Sequence, residues 1–149
     1  MNKITISTIM DCSFRLRKSL EKRSESICKK YDLKFIELEI LSILMDGNCG
    51  DTASQIGHNK HISKAHLSKS LDRLHQKGYI YFDKDTLDHR FTHIVLSDQA
   101  VSAAKEMNEI KANLEKKLLN GFSESEKLLT KKLFQNLTDN MTKIEMSGS

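Results

Sequence analysis

The segment SKAHLSKSLDRLHQKGYI, residues 63–80, combines an apolar stripe with a polar and basic face. Leu67, Leu71 and Leu74 recur at helical spacing, so one side of a helix here can pack against a core. The remaining positions carry lysines, an arginine, serines and histidines. Lysine and arginine donate hydrogen bonds to guanine edges, and serine or histidine can bond to several bases. These residue types are therefore suited to a helix that enters the major groove of DNA.

A second charged segment follows, DKDTLDHR at residues 83–90. Its three aspartates lie beside Lys84 and Arg90, an arrangement in which a carboxylate can hold an arginine extended toward a narrow minor groove. From His58 to His93 the sequence has seven lysines or arginines and four acids, a local charge of +3 in a chain of net charge +4. Most of the net charge is therefore concentrated in this quarter. The predicted DNA-binding residues are Ser63, Lys64, His66, Ser68, Lys69, Arg73, Lys84 and Arg90.

The elements that must position these side chains are mostly helices. The 149 residues include no proline and only six glycines, so long helices meet few interruptions. Apolar spacing predicts a long first helix that includes Ile27, a buried helix at about 34–46 and a short third helix. The basic helix should run over about 64–77, with Ser63 as its N-cap.

The spacing of apolar residues changes after Gly78, and glycine commonly ends a helix. Aromatic and β-branched residues from Tyr79 onward and at 91–95 predict two strands joined by a short polar loop. A long helix should start at Ser97, and the motif SESE at 123–126 is a capping box for a last helix. The predicted fold class is therefore mainly α with a small β-hairpin, arranged as a winged helix-turn-helix.

Two sequence motifs within these predicted elements resemble the MarR family of winged-helix transcriptional regulators. LSKSLDRLHQKGYI, residues 67–80, is similar to the family's stretch from recognition helix to second strand. DHRFTHIVLSDQA, residues 88–100, is similar to its wing signature of an Asp, one residue, and an Arg that leads into an apolar strand. The family usually continues with Leu-Thr-x-x-Gly, where this chain keeps a Ser cap at Ser97 and has Ala100 in place of the glycine.

The resemblance implies a homodimer bound to double-stranded DNA at a palindromic site. Our hypothesis is that this dimer blocks transcription from a pseudo-palindromic operator, and activation is the alternative. We expect the chain to form a single unit, 1–149, with residues 34–97 as the DNA-binding domain and 1–30 and 98–146 as long N- and C-terminal dimerisation helices. Apolar residues outside the winged core support this independently, because they require a partner surface. They are Ile6, Ile9, Leu16, Leu20, Leu133, Leu137, Met141 and Ile144.

Cys12 is a candidate for thiol chemistry. It lies 21 residues before Leu33, which is the spacing of the reactive cysteine in the hydroperoxide-sensing branch of the family. That branch has tyrosines four and fourteen residues later, where this chain has Leu16 and Ser26. A cation one helical turn away, Arg15, favours a thiolate, whereas a lone helical cysteine is usually a small buried hydrophobe. A redox sensor or a thiol-based redox enzyme at Cys12 therefore remains an alternative.

Small effectors are a further implication of the resemblance. Many family members bind small aromatic or carboxylic compounds between the dimerisation helices and the winged domain. In this chain Arg15, Arg17 or Lys18 could pair with an acidic effector there.

Other classes of protein find less support. No apolar run reaches the length of a membrane span and the N-terminus lacks a signal peptide, so we expect a cytoplasmic protein without membrane contact. His58 and His61 lie one helical turn apart, but no cysteine or acid stands at ligand spacing, so no metal or other cofactor is predicted. No catalytic motif is present, and the chain is not expected to be an enzyme. A helical protein-interaction adaptor is the remaining alternative.

Overall fold

A computed structural model describes residues 3–60 and 62–148. In these ranges the chain forms seven helices and one two-stranded hairpin, which confirms the predicted mainly α class with a small β-hairpin. The elements are α1 (Ile6–Arg23), α2 (Glu25–Tyr31), α3 (Phe35–Asp46), α4 (Ala53–Lys60), α5 (Lys64–Gln76), β1 (Ile80–Lys84), β2 (Thr92–Leu96), α6 (Asp98–Leu118) and α7 (Glu124–Met146). The strands are antiparallel, with Ile80 opposite Leu96.

The first helical segment is broken at Ser24, so the predicted single helix through Ile27 was wrong. The Ser24 hydroxyl donates to the carbonyl of Glu21 at 2.9 Å, and its backbone N–H is shared between the carbonyls of Leu20 and Glu21. A serine side chain that bonds to the preceding turn competes with the backbone ladder and commonly bends a helix. Ile27 nevertheless lies in the core, as its place in the apolar pattern indicates.

Helix α3 is the centre of the core. Leu38, Ile40 and Leu41 are completely buried, and they lie on different sides of the helix. Helix α5 and strand β2 both pack against α3. Full burial of a leucine or isoleucine contributes roughly 1.5–3 kcal/mol, so α3 is the support on which the basic helix and the hairpin are held.

The chain divides into two compact units, Met1–Ala112 and Asn113–Ser149. The first unit contains α1 to α5, the hairpin and most of α6. The second contains the end of α6 and α7, which starts at the predicted capping box: the Ser123 hydroxyl accepts from the N–H of Glu126, and the Glu126 carboxylate accepts from the N–H of Ser123 at 2.8 Å. None of the helices in the described ranges is long and apolar enough to cross a lipid bilayer.

Candidate nucleic-acid interface

Helix α5 has the boundaries that its sequence predicts. The Ser63 hydroxyl accepts a hydrogen bond from the N–H of His66 at 3.3 Å and so caps the helix. The helix ends at Gln76, and Gly78 follows with a φ of 76°, a left-handed conformation that favours glycine. The side chains of Leu67, Leu71 and Leu74 are buried in the core.

The polar side of α5 is exposed on its first two turns. Lys64, His66, Ser68 and Lys69 are all exposed, as is the capping Ser63. An open cleft of about 620 Å³ runs beside this side, between α4, α5 and β1, and Lys64 and Ser68 line it. These side chains can therefore be reached by a large partner without any opening of the fold.

Arg73 is held differently from the other basic residues of α5. Its Nε donates to Glu37 Oε1 at 2.6 Å, and Glu37 is only 1% exposed. The other Glu37 oxygen accepts from the backbone N–H of Lys34 at 2.8 Å, the N-cap residue of α3. One buried carboxylate thus connects the start of α3 to the last turn of α5. The half-buried Arg73 is committed to this contact through its Nε, and its role toward DNA stays a prediction.

The hairpin presents Arg90 on its exposed surface, paired with a neighbouring carboxylate. Arg90 Nε donates to Asp88 Oδ1 at 3.0 Å and Nη2 donates to Asp88 Oδ2 at 2.8 Å, while the arginine side chain remains 85% exposed. This forked contact raises the pKa of Arg90 and lowers that of Asp88, because each charge favours the other. The expected carboxylate–arginine pair is present, and Asp88 supplies the carboxylate. Lys84, at the end of β1, is also exposed.

The loop that carries Arg90 is closed by hydrogen bonds. Asp85 Oδ1 accepts from the backbone N–H groups of Leu87 at 2.8 Å and of Asp88 at 3.0 Å. The backbone N–H of Asp85 donates to the carbonyl of Phe91 at 3.0 Å, and the N–H of Phe91 donates to the carbonyl of Asp88 at 3.1 Å. Leu87 at the tip is 96% exposed. The loop is thus ordered by its own polar groups rather than by apolar burial.

His93 on β2 connects this loop to the helix-turn-helix. Its Nδ1 lies 2.8 Å from Asp51 Oδ1 and its Nε2 lies 2.8 Å from Asp85 Oδ2. Hydrogen bonds that the ring donates to Asp85 and then to Asp51 raise the pKa of His93 to about 9, and the pKa of Asp85 falls to about 2 mainly through the same contact. Sequence reasoning did not single out His93 or Asp51. The two residues are 42 positions apart, and no local pattern indicates that they meet.

The residues predicted for redox or effector chemistry lie on α1. Cys12 is exposed. Arg15 pairs with Asp11 at 4.0 Å on the exposed surface, and the Arg17 guanidinium lies 5.2 Å from the centre of the Phe35 ring. Arg17 therefore connects α1 to the start of α3.

The histidine pair considered for zinc is described only in part, because His61 lies outside the described residues. His58 is exposed near the end of α4. Among residues 3–60 and 62–148, no group of three or more His, Cys, Asp or Glu side chains is arranged to hold a metal ion.

Comparison with known proteins identifies a family that matches this chain. The family profile described as transcriptional regulator SarA/Rot matches residues 22–107, which include α5 and the whole hairpin. No curated protein matched the sequence.

Solved structures resemble the chain over nearly its full length. A MarR protein from Peptoclostridium difficile has a TM-score of 0.78 and 17% identity, with 100% of this chain and 97% of that chain covered. A complex of MepR from S. aureus with DNA has a TM-score of 0.73 and 19% identity, with 97% and 99% covered. A MarR transcriptional regulator from Methanosarcina mazei has a TM-score of 0.75 and 14% identity, with 95% and 94% covered. These similarities show a winged-helix fold of the MarR type.

Proposed function

The chain belongs to the SarA/Rot family of transcriptional regulators, and on this premise we propose that it is a homodimeric repressor of a pseudo-palindromic operator. The family and the MarR-type fold are those of DNA-binding regulators and not of enzymes. One of the similar structures is a complex of MepR with DNA, which supports the same partner here. Chromosomal DNA as the target implies action in the cytoplasm.

The observation that carries the proposal is the pairing of an exposed basic helix with an exposed arginine on the hairpin. Helix α5 exposes Lys64, His66 and Lys69 on its N-terminal half, which is the part of a recognition helix that reaches base edges in the major groove. Arg90 is exposed and held by Asp88 on the neighbouring hairpin. A narrow minor groove attracts such an arginine through its enhanced negative potential. We assign base contacts to α5 and the flanking minor groove to Arg90.

Exposed apolar side chains support a dimer. On α1 Ile6 is 78% exposed, and on α7 Leu133 and Ile144 are each 53% exposed. Apolar side chains that recur along a helix face are typical of association surfaces. Residues 1–30 and 98–146 are therefore assigned to dimerisation, and residues 34–97 to DNA binding. Two recognition helices in one dimer would contact half-sites about 10 base pairs apart.

Selection of bound sequences from a random DNA pool tests the proposal. The purified protein is used at near-physiological salt with excess competitor DNA, and its oligomeric state is measured by sedimentation. We expect a dimer and an enriched inverted repeat with half-sites about one helical turn apart. Replacement of Arg90 by alanine should weaken binding to the enriched site, whereas Lys22→Ala, which removes an exposed charge from the last turn of α1, should not. A folded dimer that enriches no sequence contradicts the proposal.

The proposed repressor is also responsive to a signal, either an oxidant or a small aromatic or carboxylic acid. The exposure of Cys12 supports an oxidant, because a buried thiol would be protected. Arg15 and Arg17 are the proposed partners of an acid. Peroxide should release the wild-type protein from its operator and leave Cys12→Ser bound. Equal release of both proteins would exclude Cys12 as the sensor.

A further inference from the structure

The imidazole of His93 makes two contacts of the same kind. Both ring nitrogens lie 2.8 Å from a carboxylate oxygen, of Asp51 on one side and of Asp85 on the other. A carboxylate only accepts hydrogen bonds, and a neutral imidazole carries only one N–H. Both contacts are therefore made at once only by an imidazolium that donates from each nitrogen. We call this arrangement the His93 bridge.

The surroundings of the His93 bridge favour the charged ring. Asp51 comes from the segment before α4, and Asp85 from the loop between the strands. Asp83, the cross-strand partner of His93 on β1, is a third acid in the neighbourhood. The pKa of His93 is raised to about 9 by its hydrogen bonds to the first two acids. The ring is consequently protonated throughout the neutral range.

The two ends of the bridge belong to different parts of the first unit. Asp51 precedes α4, the first helix of the helix-turn-helix, and its backbone carbonyl also accepts from the N–H of Ile94 at 2.7 Å. Asp85 begins the loop that ends at Arg90 and holds that loop through the N–H groups of Leu87 and Asp88. A continuous chain of hydrogen bonds therefore runs from the helix-turn-helix through His93 and Asp85 to the loop of Arg90.

We propose that His93 is a positioning residue, whose doubly donating imidazolium fixes the hairpin loop to the segment before α4 and so sets where Arg90 meets DNA. This inference rests on the proposed function for its consequence at DNA, but the bridge itself is a property of the free protein. Without it, the backbone bond between Ile94 and Asp51 still holds the strand, whereas the loop loses its side-chain anchor. The hairpin should then remain folded and Arg90 should no longer have one preferred position.

The free protein gives the first test. In wild type, ¹⁵N spectra should show a proton on both ring nitrogens of His93 at neutral pH, and the amides of Leu87 and Asp88 should exchange slowly. His93→Gln donates from one nitrogen only and carries an acceptor oxygen beside it, so it cannot replace a ring that donates from two nitrogens, and it should speed exchange of these two amides. His89→Gln, which removes another imidazole from the same loop, is the matched control and should leave them unchanged. A neutral His93 ring, or unchanged exchange in His93→Gln, overturns the proposal whatever DNA does.

Footprinting on the operator gives the second test. His93→Gln should lose protection of the flanking minor grooves and keep protection under α5, with operator affinity about tenfold lower, the size expected for one charge-assisted contact. General destabilisation would instead reduce flanking and central protection together, and that result overturns the positioning role. Asp51→Asn, which keeps the backbone carbonyl, should reproduce the loss of flanking protection and lower the pKa of His93. If wild type binds no operator, the proposed function is wrong. The ring spectra and the amide exchange still show whether the His93 bridge forms and holds the loop in the free protein.

Discussion

Replacement of Arg73 by alanine should destabilise the fold because it leaves the buried carboxylate of Glu37 without its cation. Arg73 Nε and Glu37 Oε1 are 2.6 Å apart, and Glu37 is 1% exposed whereas the Arg73 side chain is 38% exposed. Loss of one partner of a fully buried pair costs about 3–5 kcal/mol. The exposure of Arg73 lets water reach the carboxylate in the variant, so we reduce the expected loss to about 2 kcal/mol.

This loss can be measured by urea unfolding and thermal melting. For a chain of about 150 residues, 2 kcal/mol corresponds to a fall in Tm of roughly 4–8 °C. Wild type and variant must be compared at one protein concentration, since association shifts apparent stability. Lys69→Ala, an exposed position on the same helix, is the matched control and should change stability by less than about 0.5 kcal/mol.

A double-mutant cycle with Glu37→Gln isolates the pair. The amide of glutamine can still accept from the N–H of Lys34, but it carries no charge that requires Arg73. Arg73→Ala should therefore cost at least about 1 kcal/mol less in the glutamine background than in wild type. An equal cost in both backgrounds would refute the interpretation, because Arg73 would then act through packing or through some other contact.

Three other properties follow from the structure. Lys69→Ala should weaken binding to all DNA sequences alike and lower the slope of log affinity against log salt by about 0.9 if Lys69 contacts a phosphate, as measured by fluorescence anisotropy. Ser123→Ala should cost about 1 kcal/mol of unfolding free energy in urea, because it removes the cap of α7. Urea unfolding across pH should show two losses of stability. His93, with a pKa of about 9 against 6.5, contributes fully below pH 6.5 and loses its contribution as the pH rises through 9. Asp85, with a pKa of about 2 against 3.8, contributes above pH 3.8 and loses its contribution as the pH falls toward 2.

Each of these three has a result that contradicts it. If Lys69→Ala instead changed the DNA affinity only through the identity of one base pair, Lys69 would contact a base and not a phosphate. Ser123→Thr retains a capping hydroxyl and should stay within a few tenths of a kcal/mol of wild type, so an equal loss in both variants would exclude the cap as the cause. An alkaline loss of stability that persists in His93→Gln would show that another group titrates there.

The local elements could be predicted from sequence because their signals are local. Ser63 and Gly78 delimit α5, and Ser123 with Glu126 starts α7, since capping residues act within one helical turn. The break at Ser24 was missed because neither proline nor glycine marks it. The break is caused by the Ser24 hydroxyl, which donates to the carbonyl of Glu21. The spacing of apolar residues does not reveal such a hydrogen bond.

The contacts that order the candidate site could not be predicted in the same way. Glu37 and Arg73 are 36 residues apart, and Asp51 and His93 are 42 apart. Both contacts exist only once α5 and β2 have packed on α3. The sequence pattern placed Arg73 on the polar side of α5, but that side includes the edge nearest α3, where the buried carboxylate of Glu37 binds the guanidinium. The contact between Arg90 and Asp88 was predictable because the two residues are only two positions apart.

Helix α5 keeps its anchoring residues apart from its exposed ones, which matters for protein engineering. Leu67, Leu71 and Leu74 hold the helix in place, and Arg73 ties it to α3. Positions such as 66 and 69 carry side chains that the fold does not use. A library randomised only at those exposed positions should yield folded proteins at high frequency, so the DNA preference that we propose for α5 could be redesigned without first repairing the stability of the protein.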